Sequence, residues 1–312
     1  PWDLGFLDIF LLILPYYWLK KDVINLINNI IMYRFVFIIL LNYLFLVTSS
    51  CSKDSVAPDL SSLEAKSMMN LEYGYNLHQK YDIYLPQNRT KDTKVLILVH
   101  GGGWAAGDKS EMDPFKDLIR NQLPEIAVVN MNYRLADVNN PPYPMQIDDI
   151  NLVVSQLRNR AQEFQISSEI GFIGASAGAH LSLLWSYSQD FKKQVRMVCS
   201  IVGPTNLLDE AYLNTPNQDL RTILDQFGNN PEVLEKVSPL YQVTSTSPAT
   251  ILFYGAQDPL IPNSQGIALR DRLKVLKVEH EFTLYPTGGH GWEGLDLVDT
   301  SIKLKAFIQA HL

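Results

Sequence analysis

The chain has 312 residues, 46% hydrophobic and 19% charged, which supplies a core for one large domain or two small ones and excludes wholesale disorder. Its formal net charge of −7 argues against a nucleic-acid partner, which selects a basic face. The only two cysteines, Cys51 and Cys199, make no disulfide framework and stand in no Cys/His cluster of zinc-binding spacing.

The N-terminal stretch has the character of an address. Residues 1–31 are rich in Ile, Asn, Leu, Lys, Phe and Tyr, all favoured by A/T-rich codons, and contain no methionine before Met32. Their apolar stretch, residues 9–14, is broken by Pro15 and is too short to span a bilayer. The expectation is translated upstream sequence that the native protein lacks. Residues 32–50 then follow the order of a secretory signal peptide: a basic start at Met32-Tyr33-Arg34, the apolar run 35–47, and the small residues Thr48-Ser49-Ser50 before Cys51. This ending resembles the lipobox of bacterial lipoproteins, although Thr48 stands where Leu or Val is commoner. The resemblance implies that Cys51 becomes the lipidated first residue, attaching the protein to a bacterial outer membrane or cell surface; without it the product is periplasmic or secreted. Residues 51–66, with Pro58 and several serines, read as a tether to a folded domain spanning 67–312.

Within 67–312 short apolar runs alternate with helical patterns. Strands are predicted over 80–85, 94–100, 126–132, 169–174, 196–202, 250–254 and 281–285, several nearly continuous in Val, Ile and Leu, as in strands covered on both faces. Helices are predicted over 143–160, where Ile147, Ile150, Val154 and Leu157 recur at helical spacing, and over 264–276 after Pro262. Alternation of this kind indicates a parallel sheet with right-handed crossovers. The connection 203–247 carries four internal prolines and helical stretches at 220–227 and 231–237. It is too long for a bare loop, so it forms either a small lid over the sheet or a peripheral packing element.

Four loops carry the chemistry. Gly174-Ala175-Ser176-Ala177-Gly178 satisfies G-x-S-x-G between the strand ending at Gly174 and a helical run from Ala179, the context of a nucleophile elbow. Such a turn strains Ser176 and places it at a helix N-terminus that favours developing negative charge. His100-Gly101-Gly102-Gly103-Trp104 follows an apolar strand, and its glycines allow backbone N–H groups to face an oxyanion. A phosphate loop is the rival reading, but the Gly-Lys-Ser/Thr ending is missing. Here the chain resembles the hormone-sensitive-lipase-like and feruloyl-esterase-like branches of the α/β-hydrolases. The resemblance covers about residues 67–312 and extends to Gly107-Asp108-Lys109, Asn132-Tyr133-Arg134-Leu135 and Tyr143-Pro144 before Asp148-Asp149, all read as scaffold. It implies an eight-stranded, mostly parallel sheet with helices on both faces and a small lid insertion. It also implies an oxyanion hole of the N–H groups of Gly102, Gly103 and Ala177. Asp148 and Asp149 point about 100° apart on a helix, which argues against a two-carboxylate glycosidase pair.

The acid and base are expected in the order Ser, Asp, His. Asp258 lies just past the strand ending at Tyr254, and His290 lies among glycines after the strand ending at Tyr285. Asp258 would hold the imidazole tautomer and His290 would act as base for Ser176. Glu293, Asp296 and Asp299 are rivals for the acid, on or beside the final helix. Among the other histidines, His78 and His311 are expected at the surface, His280 in solvent, His180 packed behind the nucleophile, and His100 bracing the oxyanion loop.

The function so implied is a serine esterase cleaving small-molecule or polysaccharide-linked carboxylic esters, such as acetyl or feruloyl groups, through an acyl-enzyme and without metal or organic cofactor. Alternatives on the same triad are a peptidase resembling prolyl oligopeptidase, for whose accessory domain there is no room, and an amide hydrolase resembling kynurenine formamidase, which an export signal fits poorly. A non-catalytic binding module conflicts with the presence of all three triad candidates.

Overall fold

The computed structural model describes residues 63–312; the upstream segment 1–31, the signal sequence 32–50, Cys51 and most of the tether lie outside the described residues. Among the described residues eight strands form one sheet: β1 (Lys66–Glu72), β2 (Lys80–Leu85), β3 (Val95–Val99), β4 (Ala127–Met131), β5 (Ile170–Ala175), β6 (Val195–Ile201), β7 (Ala249–Gly255) and β8 (His280–Tyr285). Their spatial order is β1-β2-β4-β3-β5-β6-β7-β8. The pairs β1/β2 and β2/β4 are antiparallel and the rest are parallel, so the sheet is mostly parallel as expected.

The continuous apolar strands are buried on both faces, and their alternate residues feed two cores. On one face Val95, Ile97 and Val99 pack with α2 (Pro142–Asn159), α3 (Ala177–Ser188) and α4 (Asn263–Leu276). On the other, Leu96 and Leu98 pack with α1 (Asp113–Gln122) and α5 (Gly294–His311). Cys199 belongs to this second core, fully buried, and burial pushes its thiol pKa up, so it behaves as a small hydrophobe.

Besides short helices of four residues, two elements escaped the sequence pattern. The edge strand β1 begins at Lys66, the last residue assigned to the tether, and its residues are exposed or half-buried, so no apolar alternation marks it. Helix α1 buries only Ile119 among its ten residues, too little periodic signal to read.

The connection 203–247 folds into short helices at Glu210–Leu213, Gln218–Leu224, Pro231–Lys236 and Pro239–Gln242. Its start is pinned by the wholly buried Gln265, whose Oε1 accepts the N–H groups of Thr205 and Asn206 at 2.8 Å each. Its later part is held by the His180 ring, whose Nε2 donates to the Val237 carbonyl at 2.7 Å. These bonds bring the insertion to the end of the sheet where the four chemical loops emerge.

Candidate active site

Ser176 occupies the turn between β5 and α3 at φ 51°, ψ −119°, a conformation an L-residue adopts only when its surroundings enforce it. The enforcement is visible. Ser176 N–H donates to the Ile201 carbonyl at 2.8 Å, and the start of α3 lies so close to β3 that a Cβ on Gly178 would sit 2.1 Å from the Val99 oxygen. Only glycine permits that approach.

His290 and Asp258 come from loops after neighbouring strands, joined by the Gln257 N–H donating to the Gly288 carbonyl at 2.8 Å. The Asp258 side chain is 1% exposed; its Oδ1 accepts the N–H groups of Leu260 and Ile261 at 2.8 and 2.9 Å. Its Oδ2 takes a 2.8 Å bond from His290 Nδ1, and His290 Nε2 lies 3.0 Å from Ser176 Oγ. With Nδ1 protonated toward the carboxylate, Nε2 is free to accept from the serine hydroxyl. Three side chains separated by 114 residues of sequence thus form one hydrogen-bonded chain. The rival carboxylate Asp299 instead accepts from Tyr285 and Lys303.

The loop expected to face the oxyanion is tightly wound, with Gly102, Gly103 and Trp104 at φ 98°, 56° and 63° and the Ala105 and Ala106 N–H groups both bonded to the Gly102 oxygen. Its carbonyls are held from behind: Tyr133 Oη donates to the His100 and Gly101 oxygens at 3.0 and 2.8 Å, and His100 Nδ1 donates to Gly101 O at 2.8 Å. The His100 ring stacks on Tyr133 at 4.2 Å. Its other nitrogen, Nε2, is buried without a partner among the described residues, and burial lowers the pKa of the ring. The N–H groups of Gly102 and Gly103 make no backbone hydrogen bond among the described residues, and that of Ala177, first in α3, has no intrahelical acceptor. All three residues border one cavity with Ser176 and His290.

His180 lies wholly buried behind Ser176. The Trp104 indole N–H donates to its Nδ1 at 3.1 Å while its Nε2–H reaches Val237, so one neutral ring ties the glycine loop after β3, α3 and the insertion together. Arg134 and the buried Asp149 form an ion pair at 2.7 Å, and Asp148 is exposed. His78 is exposed; His280 is not solvated as expected but half-buried, its Nδ1 donating to Val278 O at 2.8 Å, and His311 is half-buried against Phe307.

Two cavities flank Ser176. One, of about 400 Å³, is bordered by Glu111, Phe115, Val202, Trp292 and Thr300; the other, of about 300 Å³, by Trp104, Tyr212, Leu220, Leu224, Leu260 and Ile261. Most of these residues were not singled out in the sequence, because apolar side chains on short helices and loops carry no motif. Among the described residues no cluster of His, Cys, Asp or Glu suits a metal ion.

The BD-FAE family model matches residues 81–273, which include Ser176 and Asp258 and stop short of His290. Esterase LipC of Mycobacterium tuberculosis is 27% identical over 242 residues, covering 72% of this chain and 59% of that protein. A probable isoprenylcysteine alpha-carbonyl methylesterase of Oryza sativa subsp. japonica is 26% identical over 243 residues, covering 70% of this chain and 55% of its own length. The chain therefore spans a little over half the length of these curated relatives. Among solved structures, a truncated form of a carbohydrate esterase from gut microbiota shares the fold with a TM-score of 0.66 and 22% identity, over 78% of this chain and 96% of that one.

Proposed function

The chain belongs to the BD-FAE family, with an α/β-hydrolase fold, and from that premise we propose that it is a serine esterase using Ser176, His290 and Asp258. The observation that carries the reading is the continuous relay from Asp258 Oδ2 through His290 to Ser176 Oγ, with bonds of 2.8 and 3.0 Å. Ser176 Oγ attacks the ester carbonyl carbon as His290 Nε2 takes its proton. The carbonyl oxygen becomes an oxyanion held by the N–H groups of Gly102, Gly103 and Ala177, each such donor contributing about 10²-fold or more to the rate. The Asp258 carboxylate stabilises the imidazolium, which returns the proton to the departing alcohol. Water, deprotonated by His290, then attacks the acyl-enzyme and releases the acid.

The alcohol we assign is a sugar hydroxyl of an acylated polysaccharide, with acetyl or feruloyl as the acyl group. Support comes from the carbohydrate esterase that shares the fold and from the cavity bordered by Trp292, Phe115 and Glu111, which offers aromatic faces and a carboxylate to a sugar. The test is an ester panel of p-nitrophenyl acetate, longer p-nitrophenyl esters, acetylated xylan and methyl ferulate, comparing the wild type with Ser176→Ala. Loss of at least about 10⁴-fold in the variant is expected, and equal rates refute the nucleophile. From the order of residues 32–51 we also propose export and lipid attachment at Cys51. Detergent phase partition of the expressed chain against Cys51→Ser checks this, and equal partition of the two refutes it.

A further inference from the structure

The two cavities beside Ser176 differ in the way an acyl-transfer site requires. The larger one is bordered by the exposed residues Glu111, Pro114, Gly291 and Leu297, so it opens to solvent. An alcohol can leave and water can enter from that side while the acyl group stays bonded to Ser176. The smaller one is walled by the buried side chains of Trp104, Tyr212, Leu220 and Ile261, with Leu224 and Leu260 half-buried. It suits a group that must remain in place through both steps, and its apolar lining suits hydrocarbon.

That smaller cavity has a partition at one end. Tyr212 and Leu224 border it, and the same two residues border a further cavity of about 150 Å³ lined by Leu207, Leu213 and Leu234 together with the exposed Arg221, Asp225 and Asn229, which does not reach Ser176. Tyr212 is 1% exposed. It sits on the helix Glu210–Leu213, whose N-cap Asp209 accepts the Ala211 N–H at 2.9 Å. The other carboxylate oxygen of Asp209 accepts from Ser264 and Gln265 of α4 at 2.8 Å each, so the helix is anchored to the scaffold. The partition is a fixed wall rather than a flap. Its hydroxyl plays no part in that anchoring: Tyr73, Tyr133 and Tyr254 each donate to a backbone carbonyl, whereas the buried Tyr212 hydroxyl has no partner among the described residues.

We propose that the Tyr212 ring closes the acyl subsite and sets the longest acyl chain the enzyme accepts, with Leu224 completing the wall. The inference rests on the esterase reading. It makes the preferred substrates esters of short or medium acyl chains, and it predicts that removing the ring joins the two cavities into one deeper subsite.

The experiment is a chain-length series of linear p-nitrophenyl esters, acetate to dodecanoate, with wild type, Tyr212→Ala, Tyr212→Phe and Leu224→Ala. Rates are normalised to each protein's own acetate rate. In the wild type each added methylene raises kcat/KM about four-fold until the wall is reached, and then the gain stops. Tyr212→Ala moves the limit outward by several carbons, with a relative gain of at least about 10-fold on the first esters beyond the wild-type limit. Tyr212→Phe keeps the wild-type limit. If Tyr212→Ala does not fold, Leu224→Ala reads the same wall and shifts the limit in the same direction. An unchanged limit in the folded wall variants overturns the proposal, as does Tyr212→Phe shifting it as far as Tyr212→Ala. Binding of linear fatty acids, followed by thermal shift, reads the wall without catalysis. Wild type inactive on every ester refutes the esterase reading, and the fatty-acid limit then decides the wall: movement in Tyr212→Ala upholds it and no movement overturns it.

Discussion

Mild acid should destabilise this fold through His180, and the size of the effect follows from its bonds. Trp104 Nε1 can only donate, so His180 Nδ1 must accept, and Val237 O can only accept, so Nε2 carries the hydrogen. A second proton would have to enter at Nδ1, against an N–H already pointing at it. Burial pushes the His180 pKa down to about 4, opposed only in part by the bond to Val237. The unfolded chain binds the proton near pH 6.5, before the folded one, so stability is complete above about pH 6.5 and is lost as pH falls toward about 4. The full gap is worth about 3 kcal/mol, and about 2 kcal/mol of it is lost between about pH 7 and about pH 5. For a domain of this size that lowers Tm by about 4–8 °C. Carboxylates titrate mostly below this window, which therefore isolates imidazoles. The assay is thermal unfolding against pH for wild type and His180→Gln, whose amide can replace both bonds but cannot titrate. The variant should lose most of the slope, keeping the share due to His100, which burial shifts the same way. Parallel Tm–pH curves for the two proteins would refute the reasoning.

Three further outcomes are expected. Asp258→Asn should lower kcat by about 10⁴-fold by disturbing the His290 tautomer, while Glu293→Gln, Asp296→Asn and Asp299→Asn each stay within a few-fold; steady-state kinetics on one activated ester compares them. Gly102→Ala should cost kcat about 10²-fold or more, because its Cβ would lie 2.1 Å from the Ala106 oxygen at a φ of 98° and the loop must unwind; kcat measured at matched folded fraction checks it. Asp149→Ala should destabilise by about 3 kcal/mol by leaving Arg134 without its carboxylate, readable as the shift in urea midpoint at constant m-value.

The parts of this protein that announce themselves in sequence are those whose chemistry demands a particular residue type. Gly178 must be glycine because β3 lies against it, and that necessity makes the G-x-S-x-G string readable. Asp258 and His290 are legible because loops after buried parallel strands all open at one end of the sheet, so their places in chain order predict their convergence. Strand β1 and helix α1 are not legible, since mostly exposed elements carry little periodic burial.

The walls of the cavities fail to announce themselves for a different reason. Tyr212 and Leu220 are buried and Leu224 half-buried by the insertion folding onto the sheet, a tertiary event fixed by Gln265 and His180 from helices distant in sequence. Any apolar side chain of suitable volume would satisfy the same burial, so selection for one acyl chain over another leaves no motif. On the proposed reading, the reaction is therefore written in residue types and the substrate range in shape. If the proposed wall is right, replacing Tyr212 or Leu224 changes the acyl groups this chain accepts while Ser176, Asp258, His290 and the three proposed oxyanion donors stay as they are.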